Sequence, residues 1–251
     1  MLFNRLKVFN RIVKMGLSMK VDTAVVLAGG PGIRLKPLTD NTPKALVEVG
    51  EKPLIQWIIE WLRMNDVRRI VLGVAHLKEK IIDYFGDGSR FDVDIAYSVH
   101  TVEGGTGEGF RLAISRHVDE DIFFAMNGDQ ITDLKLKDLA DFHLRHNPTA
   151  TIAVTKPHCP YGHMKVNERY DVVGFVEKPF CPYALCNTGI YVFKREILRY
   201  LPEKGDVEKS TFPKLTKNSS LKVYPFEGLF ITVNTCKDLV EAEEKLKVIY
   251  G

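Results

Sequence analysis

Hydrophobic and polar residues follow two different patterns along the chain after residue 20. Short continuous apolar runs predict buried strands, because a strand covered on both faces has no polar side. Apolar residues at three- and four-residue spacing, such as Ile55, Ile58 and Leu62, predict helices. Strands that alternate with helices indicate an α/β fold, a Rossmann-like three-layer arrangement with a mostly parallel sheet covered on both faces. The predicted strands cover 23–28, 69–75, 93–99, 122–126 and 149–155, and the predicted helices cover 53–62, 78–85, 107–116 and 136–146.

The second half of the chain has a different pattern of apolar residues. Its apolar runs are shorter and more closely spaced, which is typical of hairpins and indicates a mixed sheet with a smaller, irregular, β-rich C-terminal part. Neither an internal repeat nor a low-complexity linker interrupts the sequence. We therefore predict a single domain over 21–251, with halves at 21–148 and 149–251. Short strands are expected at 164–166, 172–176, 189–193, 221–225 and 229–233, and a last helix at 236–250.

The basic charge of the chain is concentrated at its beginning. The formal net charge is +3, and the first twenty residues carry five bases and no acid, so the remainder carries −2. A nucleic-acid-binding surface needs basic residues spread over the fold itself. We therefore expect no nucleic-acid partner.

Residues 1–20 alternate apolar and basic side chains. The favoured interpretation is a flexible basic extension, or an upstream start with Met15 or Met19 as the true beginning. An amphipathic surface helix or a transit-like leader stays open. No apolar run reaches the ~20 residues that cross a bilayer, and the start lacks the apolar core of a secretory signal. We therefore expect no membrane span and a cytoplasmic location.

The cysteines give no sign of a metal site. Cys159, Cys181, Cys186 and Cys236 form no CxxC pair, and nearby histidines do not complete a zinc-ligand pattern. We predict that all of them are free thiols.

A glycine-rich turn follows the first predicted strand. Gly29, Gly30 and Gly32 let the backbone approach a ligand closely, and the free amides of such a turn can hold a polyphosphate. Arg34 and Lys44 follow shortly after, and two cations suit a triphosphate whose leaving pyrophosphate must be neutralised. The turn has neither the Gly-Lys-Ser/Thr ending of a P-loop nor GxGxxG spacing. A purely structural turn is the alternative.

A second candidate site follows the predicted strand at 122–126, where the chain reads Asn127, Gly128 and Asp129. Ligands of open α/β sheets gather at the carboxyl ends of strands. A carboxylate there, close to phosphates, is what Mg²⁺ requires. The alternative is an Asx turn that ends the strand. Taken alone, the motif favours this turn, whereas in company with the phosphate-binding turn Asp129 becomes the strongest candidate for a catalytic metal ligand.

The stretch LAGGPGIRLKPLTDNTPKALVEVGEKPLI, residues 27–55, resembles the signature of the sugar-1-phosphate nucleotidylyltransferases. Three further blocks match in order and spacing, so the resemblance covers nearly all of 22–250. It implies a nucleotide-diphospho-sugar transferase-like fold, with a nucleotide-binding half followed by a sugar-phosphate-binding half. The residues implied to bind the nucleotide are Leu27, Ala28, Gly29, Gly30, Gly32, Arg34, His100, Gly105, Thr106, Asn127 and Asp129.

The remaining blocks of this resemblance concern the base and the sugar. His100 occupies a position that resembles the family's base-reading Gln or Glu, and an ordinary loop histidine is the alternative. Three dipeptides resemble the family's YG, EKP and N(T/A)G blocks, which implies binding of the sugar phosphate. These are Tyr161 with Gly162, Glu177 with Lys178, and Asn187 with Thr188. The implied catalytic residues are Arg34, Lys44, Asp129 and Lys178.

Two departures from the family pattern bear on activity. Ile33 stands where the family has threonine, and losing one hydroxyl contact costs about 1 kcal/mol. Thr232 stands where many relatives have a metal-binding aspartate. Asn234 offers a neutral oxygen instead, as a Val-Asn pair does in the related N-acetylglucosamine-1-phosphate uridylyltransferases. The implied metal ligands are therefore Asp129 and Asn234.

The resemblance implies Mg²⁺-assisted transfer of a nucleotidyl group from a nucleoside triphosphate to a sugar-1-phosphate, with release of pyrophosphate. The blocks are most similar to heptose-1-phosphate and mannose-1-phosphate guanylyltransferases and to glucose-1-phosphate enzymes, which slightly favours guanylyl transfer to mannose- or heptose-1-phosphate. A homo-oligomer is common in this family. The alternative function is a catalytically weak, nucleotide-sugar-binding regulatory subunit of the same fold, which the two departures favour.

Overall fold

The computed structural model describes residues 20–181 and 183–250. Apart from Lys20, the basic extension predicted for residues 1–20 lies outside this described part. Most predicted elements are present, with ends that differ from the predicted ones by a few residues at most. In chain order the strands are β1 (Thr23–Leu27), β2 (Glu48–Val49), β3 (Lys52–Pro53), β4 (Arg69–Val74), β5 (Asp94–Val99), β6 (Ile122–Asn127), β7 (Gln130–Thr132), β8 (Ala150–Thr155), β9 (His163–Val166), β10 (Val172–Val176), β11 (Cys186–Lys194), β12 (Leu221–Pro225) and β13 (Phe230–Thr232).

Seven strands form the main sheet of the described residues, in the order β12, β8, β11, β6, β1, β4 and β5. Neighbouring strands run parallel except where β11 pairs with β6 and with β8, so the sheet is mixed and mostly parallel, as predicted. In β1, Ala24, Val25 and Val26 have no solvent exposure. Because both faces of this strand are covered, its sequence is a continuous apolar run and does not alternate.

Helices cover both faces of the sheet, which confirms the predicted three-layer α/β/α fold. One apolar cluster joins α1, α2 and α4 to one face of β1 through Ala24 and Val26. A second cluster joins α3 and α5 to the opposite face through Val25. Among the described residues, no helix is long and apolar enough to cross a membrane. The helices are α1 (Leu54–Met64), α2 (Lys78–Phe85), α3 (Gly105–His117), α4 (Leu136–His146), α5 (Val207–Lys217) and α6 (Cys236–Tyr250).

Helix α5 has no counterpart among the predicted elements. Its sequence is largely polar and has Pro213 in its interior, where proline removes a backbone hydrogen bond and normally ends a helix. The side chains of Val207, Thr211 and Leu215 are nevertheless fully buried at four-residue spacing. Tertiary packing of this stripe outweighs the low helix propensity of the sequence.

The short strands build the region around the end of β6. Strand β7 pairs antiparallel with β13, and Gln130 is opposite Thr232 in this pairing. Helix α6 packs behind these strands through Ala242 and Leu246. Strands β9 and β10 form a separate antiparallel hairpin whose residues are mostly exposed. Strand β13 and helix α6, from the C-terminal half, therefore lie next to the end of β6.

The prediction of four free thiols is wrong for one pair. Cys159 and Cys181 form a disulfide across a sequence separation of 22, whereas Cys186 and Cys236 are free and exposed. The two bridged residues flank the β9–β10 hairpin, where Cys159 N donates to Pro179 O at 2.8 Å and Cys181 N to Pro157 O at 2.9 Å. Antiparallel pairing, and not a CxxC spacing, brings these cysteines together, so the sequence pattern could not reveal them.

We expect the double substitution Cys159→Ser with Cys181→Ser to lower the free energy of unfolding, because the disulfide closes a loop of 22 residues. The loss should be about 3 kcal/mol. Urea denaturation without reductant measures it, and the pair Cys186→Ser with Cys236→Ser is the matched control. Equal unfolding free energies for the two double variants would contradict the disulfide's contribution.

A buried histidine in α4 predicts a specific pH dependence of stability. Burial, assisted by the nearby charge of Lys194, lowers the pKa of His143 to about 3, whereas an unfolded histidine has a pKa of about 6.5. The unfolded chain therefore binds the proton more readily, and stability is lost as the pH falls from about 6.5 towards 3.

We expect His143→Leu to remove up to about 2 kcal/mol of the stability difference between about pH 6.5 and about pH 5. Chemical denaturation at the two pH values measures this difference. His146→Leu is the control, because His146 is exposed on the same helix, and this variant should keep the wild-type dependence. A His143→Leu protein with an unchanged pH dependence would show that other groups cause the acid sensitivity.

Candidate active site

A cleft of about 280 Å³ opens at the carboxyl ends of β1 and β6. Its position agrees with the rule that ligands of open α/β sheets bind beyond the carboxyl ends of the strands. Most of the predicted nucleotide-binding residues line it. The lining residues are Leu27, Ala28, Gly29, Gly30, Pro31, Lys44, Ala45, His100, Val102, Gly105, Thr106, Asn127, Gly128, Asp129 and Asp206.

The glycine turn after β1 needs glycine at two positions for different reasons. A Cβ atom at Gly29 would lie 2.6 Å from Nε2 of His100, so only glycine leaves room for that ring. Gly32 has a φ of +63°, in the left-handed region, and a Cβ there would lie 2.9 Å from Cβ of Lys44. The turn therefore lets His100 and Lys44 approach its backbone closely.

Lys44 joins two oxygen atoms that come from distant parts of the chain. Its Nζ lies 2.7 Å from Oδ2 of Asp129 and 2.8 Å from Oδ1 of Asn234. Arg34 Nη2 donates to the same Asn234 oxygen at 3.1 Å. Four predicted residues from three separate parts of the chain thus form one cluster beside the cleft. We call these four residues, Arg34, Lys44, Asp129 and Asn234, the cation–oxygen cluster.

Backbone pairing and a helix cap hold Asn234 in this cluster. Val233 N donates to the carbonyl oxygen of Asp129 at 2.9 Å, which extends the β7–β13 pairing by one residue. Asp238 Oδ2 accepts from Asn234 N at 3.0 Å and from Thr235 N at 2.9 Å, while Asp238 N donates to Thr235 Oγ1 at 3.2 Å. This is a capping box at the start of α6. Asp238 was not among the predicted site residues, although the Thr-x-x-Asp spacing from Thr235 predicts such a cap.

His100 lies against Gly29 at the wall of the cleft. Burial lowers its pKa below the usual range, although the charge of Glu108 opposes this effect. The ring is therefore neutral at neutral pH and offers both a donor and an acceptor nitrogen. Glu108 also fixes the adjacent loop, because its Oε2 accepts from Thr101 N at 3.0 Å and from Thr101 Oγ1 at 2.7 Å.

Gly105 and Thr106 form the start of α3 and line the cleft. Gly105 has a φ of +68°, which lets the chain turn sharply into the helix. Thr106 Oγ1 accepts from Val207 N at 3.0 Å, and this contact brings Asp206 to the wall of the cleft. Asp206 was not predicted, because α5 itself was not.

Asn187 and Thr188 lie at the start of β11. Thr188 is buried, and its hydroxyl donates to the carbonyl oxygen of Ala153 at 2.7 Å, so its side chain fixes the strand. A Cβ at Gly189 would lie 2.7 Å from Nδ2 of Asn127, which places this strand start beside the end of β6. Asn187 and Thr188 are therefore close to the cleft, and their part in binding stays a prediction.

The other predicted sugar-phosphate residues lie around the β9–β10 hairpin. Tyr161, Glu177 and Lys178 are exposed, and the carbonyl oxygen of Lys178 lies 2.9 Å from Nδ1 of His158. Gly162 packs under the hairpin, where a Cβ would lie 2.6 Å from the ring of Phe175. Between the described residues, no hydrogen bond or ion pair joins Glu177 or Lys178 to the cation–oxygen cluster. Their part in the site stays a prediction.

The described residues contain no group of three or more His, Cys, Asp or Glu side chains arranged to hold a metal ion. The predicted ligands Asp129 and Asn234 are nevertheless neighbours, because both accept a hydrogen bond from Lys44 Nζ. Thr232, on β13, pairs with Gln130 and supplies no carboxylate. Ile33 is 69% exposed beside the glycine turn.

Comparison with known proteins gives a family match over most of the chain. The family model described as Nucleotidyl transferase matches residues 23–247. A mannose-1-phosphate guanyltransferase of Yarrowia lipolytica is 36% identical over 226 residues, which cover 86% of this chain and 61% of the relative. A UTP–glucose-1-phosphate uridylyltransferase of Synechocystis is 33% identical over 220 residues, covering 80% and 56%. The chain thus spans about three fifths of the length of these curated relatives.

Solved structures give the same result at the level of the fold. The crystal structure of HddC from Yersinia pseudotuberculosis, complexed with GMP-PN, has a TM-score of 0.71 and 25% identity. The match covers 90% of this chain and 100% of that chain. The whole of HddC therefore corresponds to the described fold.

The glycine turn allows a paired test of its packing. We expect Gly29→Ala to lower the free energy of unfolding by about 1–3 kcal/mol, because the new methyl group would lie too close to the His100 ring and to Cβ of Ala75. Gly30→Ala is the matched control, since nothing lies within 4 Å of a Cβ at Gly30. Urea denaturation measures both variants, and equal stabilities would contradict the close approach of His100.

Proposed function

We propose, because this chain belongs to the nucleotidyl transferase family, that it joins a nucleoside triphosphate to a sugar-1-phosphate and releases pyrophosphate. The observation that carries the proposal is the cation–oxygen cluster beside a glycine-lined cleft. Both substrates are polyanions that repel each other, so an enzyme for this reaction needs cations and amides at one place. The cluster and the turn supply both.

The nucleotide lies in the cleft in this proposal. Amides of Gly29, Gly30 and Gly32 hold the triphosphate, and the guanidinium of Arg34 adds a planar, bidentate phosphate contact. His100 and the loop at Gly105 and Thr106 contact the base. The neutral His100 ring can both donate and accept a hydrogen bond, so its position alone does not select one base.

Lys44 supplies positive charge where the reaction needs it. Its ammonium lies between Asp129 and Asn234 and is partly exposed, with 14% of the side chain accessible. A flexible lysine can move from these oxygens to a phosphate oxygen when substrate arrives, because an ammonium is a compact charge on a long stem. Lys44 and Arg34 then stabilise the negative charge on the equatorial phosphate oxygens of the transition state.

The oxygens of Asp129 and Asn234 suit a divalent cation. Both already contact one cationic nitrogen, at 2.7 Å and 2.8 Å, so they converge on a single cation position. One carboxylate and one amide oxygen are suitable Mg²⁺ ligands, with water and substrate phosphates as the others. When bound, Mg²⁺ neutralises charge on the triphosphate. The neutral Asn234 should make metal binding weaker until substrate phosphates are present.

The sugar phosphate binds beyond the start of β11 in this proposal. Tyr161, Gly162 and Glu177 contact the sugar, with carboxylate oxygens accepting from hydroxyl groups. Lys178 holds the phosphate as a point charge. Asn187 and Thr188 form the wall next to the nucleotide. The placement beside Asn127 of Gly189, the residue that follows them, supports this arrangement.

The chemical step is an in-line displacement at the α-phosphorus. A phosphate oxygen of the sugar-1-phosphate forms the new P–O bond, and the bond from the α-phosphorus to the pyrophosphate oxygen breaks. The attacking phosphate is already ionised at neutral pH, so the step needs no strong general base. The protein's residues position the two substrates and offset charge.

Guanylyl transfer to mannose- or heptose-1-phosphate is the specific reaction we favour. A mannose-1-phosphate guanyltransferase is among the relatives, and HddC was crystallised with GMP-PN. A uridylyltransferase for glucose-1-phosphate is also among them. One sugar hydroxymethyl changes binding by only ~1–3 kcal/mol, so small changes of the pocket redirect specificity.

A catalytically weak regulatory subunit is the second candidate function. Thr232 removes a carboxylate from the site, and Ile33 presents an apolar side chain beside the glycine turn. Such a protein would bind a nucleotide sugar without appreciable turnover. Turnover of substrates separates the two candidates.

The deciding experiment incubates the protein with Mg²⁺ and each of five nucleoside triphosphates against a panel of sugar-1-phosphates. Pyrophosphate release, read as phosphate with pyrophosphatase present, measures turnover. We expect turnover with at least one pair, led by GTP with mannose- or heptose-1-phosphate. Binding of a nucleotide sugar without any turnover would favour the regulatory subunit.

We expect Asp129→Asn to reduce turnover on the order of 100-fold or more, because it removes the carboxylate at the phosphate-binding edge. The free energy of unfolding of this variant should stay close to the wild-type value. Asp141→Asn, which removes an exposed carboxylate paired with Lys137 on α4, is the matched control and should retain wild-type turnover. Wild-type turnover in Asp129→Asn would contradict the metal assignment.

A further inference from the structure

Glu208, the second residue of α5, accepts a hydrogen bond on each of its carboxylate oxygens. Thr106 Oγ1 donates to Oε2 at 3.1 Å, and the Tyr191 hydroxyl donates to Oε1 at 3.3 Å. Thr106 belongs to the nucleotide side of the cleft, whereas Tyr191 belongs to β11 on the sugar side. One carboxylate therefore contacts both halves of the proposed site, although it lies in neither predicted motif.

The nucleotide side of Glu208 is fixed by backbone contacts. Gly107 N donates to Gly205 O at 2.8 Å, and Gly205 N donates to Gly104 O at 2.9 Å. Val207 N donates to Thr106 Oγ1 at 3.0 Å, so the threonine hydroxyl accepts one hydrogen bond and donates another. The start of α5 and the start of α3 thus form one unit at the wall of the cleft.

The sugar side of Glu208 runs through a buried tyrosine. Tyr191 has no solvent exposure, and Asn187 Nδ2 donates to its hydroxyl at 3.0 Å. Asn187 Oδ1 accepts from Gly189 N at 2.8 Å, which holds the start of β11 in place. Burial, followed by the Glu208 carboxylate, raises the pKa of Tyr191, so the hydroxyl keeps its proton and donates to Glu208.

We infer that Glu208 is a positioning residue that couples nucleotide binding to sugar-phosphate binding, by linking Thr106 to Asn187 through Tyr191. The inference rests on the proposed function for the identity of the two ligands. Because the carboxylate accepts from Thr106 on one oxygen and from Tyr191 on the other, it fixes the positions of these two segments relative to each other. A ligand that orders one segment therefore lowers the cost of ordering the other.

The test measures the coupling between the two substrates in the intact chain. It uses the nucleotide and sugar-1-phosphate that the wild-type protein turns over, with the nucleotide replaced by an analogue carrying a methylene between the α- and β-phosphorus. Calorimetry gives the Kd of the analogue with and without the sugar-1-phosphate. We expect the sugar-1-phosphate to tighten analogue binding about fivefold or more in the wild type.

Glu208→Gln should bring this coupling factor close to one, while the Kd of the analogue alone changes by less than about twofold. Thr106 and Tyr191 donate to different carboxylate oxygens, and the amide replaces one of these acceptors with an NH2 donor, so one of the two hydroxyls loses the oxygen to which it donates. Glu203→Gln is the matched control, since Glu203 is exposed in the loop before α5, and it should keep the wild-type coupling. Wild-type coupling in Glu208→Gln would overturn the inference.

Tyr191→Phe provides a second variant that interrupts the same link. It should reduce the coupling as much as Glu208→Gln does, and the double variant should be no worse than either single one, because the residues act in series. Additive losses would contradict the link.

A readout without substrates separates failure of the inference from failure of the proposed function. In Tyr191→Phe, amide hydrogen exchange at 104–107 should increase, although Tyr191 itself lies on β11. Unchanged exchange would overturn the inference even if turnover is observed. If the wild type turns over no substrate pair, the proposed function fails, and the exchange result still decides whether the link exists.

Discussion

The contact between Lys44 and two oxygens is the constraint on which the rest of the site depends. The lysine follows the glycine turn, Asp129 follows β6, and Asn234 follows β13, so the three residues meet only when the sheet and the C-terminal return are both complete. Asp129 is half-buried, and the ammonium of Lys44 offsets the cost of placing its carboxylate there. The pairing of β7 with β13 and the cap of α6 therefore serve the same cluster as the central sheet does.

The fold was predictable because its signals are local. Continuous apolar runs mark strands that are covered on both faces, and four-residue spacing marks the helices that cover them. Helix α5 was missed because Pro213 and a polar sequence conceal a narrow buried stripe. The disulfide was missed because the pairing of Cys159 with Cys181 arises from an antiparallel contact between segments far apart in the sequence.

The site was predictable to the extent that its residues belong to recognisable motifs. Gly29, Gly30, Thr106 and Asp129 come from three such motifs and line one cleft. Glu208 gives no local signal, because its partners Thr106 and Tyr191 are set by tertiary packing. The helix cap made by Asp238 is local, and its Thr-x-x-Asp spacing is readable in the sequence. Glu177 and Lys178 directly follow the exposed β9–β10 hairpin, and among the described residues no hydrogen bond or ion pair ties them to the cation–oxygen cluster.

The reversed direction of β11 within the sheet lets the loop that precedes it vary in length and composition. Strand β8 ends, and β11 begins, at the same rim as the cleft, so residues 156–185 leave the sheet and return to it at neighbouring points. Such an excursion can lengthen, shorten or change composition without shifting the register of either strand. Under the proposed function this loop carries Tyr161, Glu177 and Lys178, so a change of acceptor can arise within it while the sheet that maintains the fold stays the same.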